Sequence, residues 1–304
     1  MGKIWIVVTG QGEAATLLSL LKCDAGEVSV LALGSREVAE EAARGTAGVS
    51  WIDTDGVPAE CFASAAEGVL EDASPDIMLG VATPGTRAVL GAAAEKMGAC
   101  IASNVISASI DGDTVKYDRM AIGDKLVRSI SAPAPAALLA NPLSVSAGAL
   151  YESDAIATID AVEATPSDAV SIASSGPAPV SDVENAEYVV GIGRGVKDEQ
   201  MLAKTKELAE VMGAKMSCTM PIHTETDYLP VESYYIGLSG LKIAPKLYVA
   251  LGISGTSQHL AGIRNAKEVV VVNKDPKAKF FDNADYGIIG DLEDVVPELI
   301  KALG

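Results

Sequence analysis

The chain has 304 residues, of which 49% are hydrophobic and only 4% aromatic, and its 41 acidic and 23 basic residues give a net charge of −18. So acidic a chain is not expected to bind nucleic acid or an anionic membrane surface, because both require clustered Lys and Arg. Its length predicts about two domains, and its four cysteines form no Cys-x-x-Cys pair, which argues against zinc and iron–sulfur sites.

The first half of the chain alternates short apolar strands with helices. Strands are predicted at 3–9, 27–33, 49–52, 76–81 and 99–102, with helices at 14–21, 35–45, 58–71 and 83–97. This βαβ rhythm predicts a doubly wound, mostly parallel sheet. Beyond residue 106 the pattern changes to short extended runs, which we interpret as an antiparallel extension at the sheet edge; they cover 113–117, 125–130 and 136–139.

The segment 174–182 is rich in Ser, Gly and Pro and lacks apolar periodicity, so it is the predicted linker. We therefore expect an N-terminal domain over 1–175 and a C-terminal domain over 176–304. In the second domain the βαβ rhythm restarts, with strands at 188–192, 247–251, 268–272 and 286–289 and helices at 199–212 and 293–303. The fold class predicted is α/β, with two doubly wound Rossmann-like domains.

The chain starts directly with a strand pattern and shows no signal-peptide cleavage site. No uncharged apolar run reaches the length of about 18 residues that a membrane-spanning helix needs. A cytoplasmic protein that is not an integral membrane protein is therefore expected.

The first βα turn carries a glycine pattern, Gly10-Gln-Gly12-Glu-Ala-Ala15, that matches a dinucleotide-binding fingerprint. Arg36, after the second strand, would suit the 2′-phosphate of NADP. These residues support one alternative function, an NADP-linked flavin reductase. However, βα turns need glycine for tight geometry whether or not they bind a ligand.

A second glycine-containing loop, Gly252-Ile-Ser-Gly-Thr-Ser-Gln-His259, follows the apolar strand at 247–251. Small side chains at the end of a strand allow an anion such as a diphosphate to approach free backbone N–H groups. By itself this loop predicts a nucleotide or phosphate ligand, so a non-redox protein that binds AMP or ATP is another alternative.

Further motifs stand around this loop in a fixed order: Gly193-Arg-Gly195, Ile236-Gly-Leu-Ser-Gly240, Val271-Val-Asn273 and Gly290-Asp-Leu292. Over roughly 120 residues the set resembles the C-terminal domain of the electron transfer flavoprotein alpha-subunit (FixB) family. The resemblance implies an FAD-binding electron carrier with no catalytic acid–base or metal site. It also implies a heterodimer with a beta subunit that carries AMP or a second FAD.

In such a heterodimer the N-terminal domain would bind no ligand and would pack against the beta subunit. Flavoprotein dehydrogenases, such as those of fatty acid β-oxidation, would supply the electrons, and a quinone-linked or other acceptor would receive them.

The resemblance also assigns expected FAD contacts. Arg194 would bind the diphosphate, the loop of Ser254, Gly255, Thr256 and Ser257 would hold the diphosphate and ribityl chain, and Ser239 would bond flavin N5. Gln258 and His259 would face the pyrimidine end of the ring, where His259 would supply a proton donor or a positive charge. The remaining expected contacts are Ser217, Ile236, Gly237, Leu238, Asn273, Asp291 and Leu292.

From the residues alone, Arg194 could equally form a surface ion pair and Asp291 could be a helix cap. The chain also departs from the family pattern. Cys218 stands where the family has an Arg over the flavin ring that favours the anionic semiquinone, and about four extra residues follow around His223. Leu238 replaces a Gln. Loss of that Arg is expected to shift the redox potential, since His223 would replace its charge only as a titrating group.

Overall fold

The computed structural model describes residues 2–122, 126–141, 155–168, 181–229 and 235–304. The chain forms two compact units, Met1–Ser175 and Gly176–Gly304. Most of the predicted linker, 174–180, lies outside the described residues. Both units have helices packed on mostly parallel sheets, which confirms the predicted α/β class.

The first unit is built on a single sheet, which has nine strands in the described residues. The strands are β1 (Ile4–Val8), β2 (Val28–Gly34), β3 (Gly48–Asp53), β4 (Ile77–Val81), β5 (Cys100–Asp111), β6 (Thr114–Ala121), β7 (Leu126–Pro133), β8 (Ala136–Ala140) and β9 (Ile159–Ala161). Their order across the sheet is β7-β6-β5-β8-β4-β1-β2-β3-β9. The helices are α1 (Glu13–Leu18), α2 (Arg36–Ala42), α3 (Ala63–Ala73) and α4 (Pro84–Met97).

Helices cover both faces of this sheet, as a doubly wound fold requires. Apolar residues of α1 and α2 join one core cluster, and those of α3 and α4 join another on the opposite face. The capping of α4 shows why it begins where it does: Thr83 accepts from the Thr86 N–H, and Pro84 occupies the first helical position.

The prediction for 136–139 was wrong. Instead of joining an antiparallel edge, β8 lies between β4 and β5 and is parallel to both. All five of its residues are buried, as is typical of a strand covered on both faces. The antiparallel extension exists, but β5, β6 and β7 form it.

The helix predicted at 14–21 ends early, at Leu18. The chain leaves the helix because it pairs with β5: Leu21 bridges Ala108, and the Lys22 N–H donates to the Ala108 carbonyl at 3.2 Å. Local periodicity carries no information about this long-range pairing.

The second unit has five strands in its described residues, all parallel, in the order β11-β10-β12-β13-β14. They are β10 (Tyr188–Ile192), β11 (Lys215–Cys218), β12 (Leu247–Leu251), β13 (Glu268–Asn273) and β14 (Tyr286–Ile289). The helices are α5 (Glu199–Val211), α6 (Met220–Glu225), α7 (Ser257–Leu260) and α8 (Leu292–Leu303). β11 and α6, which are only four and six residues long, were not predicted from the sequence.

The strand order places β10 and β12 side by side although the chain reaches β11 between them. This reversal of direction is a topological switch point, and open α/β sheets bind ligands outside the carboxyl ends of the strands at such a point. No helix within the described ranges has the length and apolarity to cross a lipid bilayer.

Candidate functional site

Two adjoining cavities lie at the carboxyl ends of the strands in the second unit. One, of about 320 Å³, is lined by residues that follow β10, β11 and β12, together with the segment around Gly237; we call it the first cavity. The second cavity, of about 280 Å³, is lined by residues that follow β10, β12, β13 and β14. Arg194, Gly252 and Ser254 line both. A ligand with two bulky ends joined by a narrow, charged middle would fit this arrangement.

The junction depends on a close crossing of two glycine loops. A Cβ on Gly193 would lie 2.6 Å from the Gly252 carbonyl oxygen, and one on Gly195 would lie 2.5 Å from the Gly252 Cα. Gly252 also has φ +64°, a conformation that costs other residues free energy. Larger residues at these positions would force the two loops apart.

The loop after β12 leaves backbone donors available. Within the described residues, the N–H groups of Ser254, Gly255 and Thr256 donate to no backbone carbonyl. The Asn273 side chain fixes the start of the loop by donating from Nδ2 to the Ile253 carbonyl at 2.9 Å. Free N–H groups on a fixed loop are suited to bind phosphate oxygens.

A tight turn, Gly237–Gly240, forms another wall of the first cavity. The Leu238 N–H donates to the Gln258 carbonyl at 2.8 Å, which joins this turn to α7. The side chains of Leu238 and Ser239 are exposed and line the cavity. Ser239 thus presents a hydroxyl, and Leu238 an apolar surface, to a ligand.

His259 lies at the base of the first cavity and is only 4% exposed. Its Nδ1 is 3.1 Å from the Ile236 carbonyl oxygen, and its Nε2 is 3.0 Å from the Tyr248 hydroxyl. Burial lowers the pKa of His259 to about 4, against a smaller opposing effect of the Ile236 carbonyl. The structure therefore does not support the expected positive charge, because the ring is neutral near pH 7.

The lowered pKa of His259 makes the stability of the folded protein depend on pH. Between about pH 6.5 and pH 4 the unfolded chain binds a proton at residue 259 and the folded chain does not, so stability falls as the pH is lowered through this range. We expect a loss on the order of 3 kcal/mol. Chemical denaturation of the wild type and of H259Q across this range measures it, since carboxylate contributions are common to both. Parallel stability curves for the two proteins would contradict the shift.

Cys218, which the resemblance places at the position of an Arg in the family, does not line either cavity. It is buried in the core cluster with α5 and α8, and burial raises the pKa of its thiol to about 12, only partly offset by a hydrogen bond from the His223 backbone. The side chain is therefore an uncharged part of the core. His223 stacks on Tyr235, with ring centroids 5.3 Å apart.

Arg194 forms an ion pair with Glu225, at the end of α6. Nη2 and Nε of the guanidinium both contact the carboxylate, with 3.0 Å between Nε and Oε2. This hydrogen bonding raises the pKa of Arg194 and lowers the pKa of Glu225. Both side chains are more than half exposed, so a bound anion could replace Glu225 at little cost.

The second cavity has a mixed electrostatic character. Lys197 and Lys274 contribute positive charges, and Asp275 and Asp291 negative ones. Asp291 caps α8 by accepting from the Glu293 N–H at 3.2 Å. The alternative interpretation of Asp291 from the sequence, as a helix cap, is thus confirmed. Its second carboxylate oxygen keeps acceptor capacity for a ligand hydroxyl.

The glycine turn of the first unit is closed by the protein's own carboxylates. Glu13 accepts from the Thr9 N–H at 2.6 Å, and Glu41 accepts from the Gly12 N–H at 2.7 Å. Burial raises the pKa of Glu13, while hydrogen bonds from Thr9 and Gly10 partly offset this effect. Arg36, the candidate for a 2′-phosphate, pairs with Glu40 and lies over the Trp51 ring. Two carboxylates at this turn would repel a diphosphate.

Most of the expected FAD contacts come together around the two cavities. The first cavity is lined by Arg194, Ile236, Gly237, Leu238, Ser239, Ser254, Thr256, Gln258 and His259. The second is lined by Arg194, Ser254, Asn273, Asp291 and Leu292. Three expected contacts line neither cavity: Ser217, Gly255 and Ser257.

Ser217 and Gly255 are buried for identifiable reasons. Ser217 belongs to β11, at the edge of the sheet, and its side chain is fully buried, with no hydrogen-bond partner for its hydroxyl within the described chain. Gly255, at φ +81°, packs against the backbone of Phe280. The remaining lining residues were not predicted as contacts from the sequence; among them are Thr219, Met220, Pro221, Tyr235, Lys197 and Lys274. Only their closeness to strand ends could have indicated them.

Comparison with known proteins gives two family matches. A model described as the electron transfer flavoprotein domain matches residues 12–186, and one described as the electron transfer flavoprotein FAD-binding domain matches residues 182–264. The electron transfer flavoprotein subunit alpha of Bacillus subtilis (strain 168) is 32% identical over 246 residues, covering 80% of this chain and 75% of that protein.

Two Escherichia coli proteins match over shorter regions. The YdiR protein of strain K12 is 43% identical, and protein FixB of O139:H28 (strain E24377A / ETEC) is 38% identical, each over 122 residues. Each match covers 40% of this chain and 39% of the relative.

Proposed function

Because the chain belongs to the electron transfer flavoprotein alpha-subunit family, we propose that it carries electrons from flavoprotein dehydrogenases to an acceptor, in a heterodimer with a beta subunit. The second unit matches the family's FAD-binding domain, and FAD is its cofactor. The single observation that best supports the proposed site is the meeting of two cavities at Arg194, Gly252 and Ser254.

The residues present fit FAD. Cavities that bind small molecules usually measure about 300–1,000 Å³, and each of these two is near the lower limit of that range. One cavity for each end of a dinucleotide, with a cation and free backbone N–H groups between them, matches a flavin and an adenosine joined by a diphosphate. In the first cavity apolar side chains such as Ile236 and Leu238 suit a flat ring.

When bound, FAD supplies the reversible electron chemistry. The chain's own residues position it. In this proposal Arg194 and the loop N–H groups bind the diphosphate, and Ser239 offers its hydroxyl to the ring. Asn273 holds the loop in place, while Asp291 is the acceptor for a ribose hydroxyl. The buried layer of Tyr248, His259 and Phe280 supports the cavity from below.

The first unit has a different role in this proposal. Its own switch point, between β1 and β4, is occupied by Glu13, and Thr9 contacts Thr83 there at 3.2 Å. A unit whose equivalent site is filled by its own side chains suits subunit packing better than cofactor binding. The carboxylates of Glu13 and Glu41 at this turn would repel the diphosphate of NADP, which argues against the NADP-linked reductase.

Co-expression of the chain with a beta subunit tests the proposed function. We expect a yellow complex in which this chain binds one equivalent of FAD, released on denaturation and identified by chromatography. We also expect that NADPH does not bleach the flavin and that a reduced flavoprotein dehydrogenase does. A colourless complex that binds AMP or ATP in place of FAD would contradict the proposal, as would rapid bleaching by NADPH alone.

A further inference from the structure

Tyr248 and His259 form a buried polar pair beneath the first cavity. The Ile236 carbonyl oxygen can only accept a hydrogen bond, so the His259 Nδ1 that lies 3.1 Å away must carry the proton. In the neutral imidazole Nε2 is then an acceptor, and the Tyr248 hydroxyl, 3.0 Å away, donates to it. These two contacts together determine both the tautomer and the orientation of the ring.

The position of Tyr248 is itself fixed by its surroundings. It is fully buried in β12, and its ring is parallel to that of Phe280, with 6.5 Å between centroids and 6° between planes. On the neighbouring strand, a Cβ on Gly191 would overlap the Tyr248 hydroxyl. The glycine thus leaves the space through which the phenol reaches His259.

We infer that Tyr248 is a positioning residue, which occupies Nε2 of His259 and holds the imidazole neutral, so that both ring nitrogens are engaged by the protein and not by a ligand of the first cavity. The inference rests on the proposed function in one respect, namely that the ligand of this cavity is a flavin. It means that His259 offers neither an N–H group nor a positive charge to the pyrimidine end of the ring.

Within the described residues, no Asp, Glu, Lys or Arg contributes to the pKa shift of either member of the pair. Burial and the Ile236 carbonyl account for the shift in the pKa of His259. Burial also raises the pKa of the Tyr248 phenol, Cys218 acts in the same direction, and the nearby Ser217 hydroxyl opposes them. Ser217 faces Tyr248 without forming a hydrogen bond of normal geometry. Tyr248 is therefore a neutral donor at all ordinary pH values.

The consequence concerns the electrostatics of the whole cavity. Among the described residues that line it, Arg194 is the one permanent cation, and in the proposed complex the diphosphate, not the ring, engages it. By the resemblance, Cys218 stands where the family has an Arg over the ring, and Cys218 is buried and uncharged at ordinary pH. With His259 held neutral as well, negative charge on a reduced ring would meet backbone dipoles and hydroxyls rather than a cationic side chain.

Nitrogen-15 NMR of the flavin-free full chain tests the inference directly, because the chain has only two histidines. The variant H223N identifies the signal of His223 and leaves that of His259. We expect His259 in the wild type to be protonated on Nδ1 alone from pH 6 to pH 8, with the Nε2 resonance of a hydrogen-bonded acceptor. A proton on Nε2, or a doubly protonated ring at pH 7, would overturn the inference even if Tyr248 variants failed to fold.

The variant Y248F, which keeps the stacking on Phe280, supplies the second comparison. Its Nε2 resonance should move to the position of an acceptor without a hydrogen bond, while Y286F, at an exposed tyrosine, should leave it unchanged. An unchanged resonance in Y248F would show that Tyr248 does not hold Nε2. Because this measurement needs no flavin, its failure is distinguishable from failure of the proposed function.

The FAD-loaded complex provides a further measurement, the equilibrium constant between oxidised and reduced flavin, compared between the wild type and H259Q. Because one neutral side chain replaces another, we expect the two constants to differ by less than about threefold. A cation at this site would instead move it by more than about tenfold when removed. A change of the larger size would contradict the inference.

Discussion

Substitution of Gly252 by alanine should reduce the affinity for FAD by at least about 30-fold. Two physical effects combine at this position. Gly252 has φ +64°, which alanine adopts only at a cost of about 1–2 kcal/mol. Its Cβ would also lie 2.5 Å from the Gly195 Cα, so the crossing loops would have to separate. Separation would move Arg194 and the backbone donors of the 254–256 loop away from each other.

Equilibrium titration of the flavin-free heterodimer with FAD, followed by flavin fluorescence, measures this effect. Gly213 provides a matched control because its φ is +63° and nothing lies within 4 Å of the place that a Cβ would occupy there. We therefore expect G213A to show a similar backbone cost in stability but wild-type affinity for FAD. If G252A bound FAD as well as G213A does, the crossing loops would not be the diphosphate site.

Substitutions at the two members of the Arg194–Glu225 pair should change FAD affinity in opposite directions. Charge-assisted contacts between Arg194 and a diphosphate predict a loss of roughly 10- to 100-fold in R194A. Glu225 competes with the diphosphate for the same guanidinium, so E225Q should bind FAD roughly two- to fivefold more tightly, in line with an exposed ion pair.

Isothermal titration calorimetry of each variant with FAD, at two salt concentrations, measures these changes in affinity. The tighter FAD binding of E225Q relative to the wild type should diminish at high salt, because exposed charges are screened. Arg264 is exposed and lines neither cavity, so R264A is the control and should match the wild type. Weaker binding by E225Q would indicate that Glu225 supports Arg194 for the ligand instead of competing with it.

Local sequence patterns were sufficient to predict much of the fold. Fully apolar runs such as 247–251 and 188–192 predicted buried parallel strands, and their carboxyl ends located the loops that line the cavities. The order of strands was less accessible. Residues 136–139 have the composition of a core strand, yet their place between β4 and β5 depends on pairing with residues far away in sequence.

Contacts between side chains could not be predicted in the same way. The Gly12–Glu41 contact spans 29 residues and the Arg194–Glu225 contact spans 31. No local pattern indicates that Glu41 closes the first glycine turn or that Glu225 reaches Arg194. For His259 the sequence indicated its closeness to the cavity, but its charge is determined by burial and by Tyr248, which only the packed structure shows.

The crystal structure of the yellow heterodimer would test the central claim most directly, through the position of the FAD diphosphate. We predict phosphate oxygens within about 3 Å of the Arg194 guanidinium and of the backbone N–H groups of the 254–256 loop, with Glu225 displaced from Arg194. The flavin would occupy the first cavity and the adenosine the second. A diphosphate bound at the Gly10–Gly12 turn, or an FAD with its ring in the second cavity, would contradict the account.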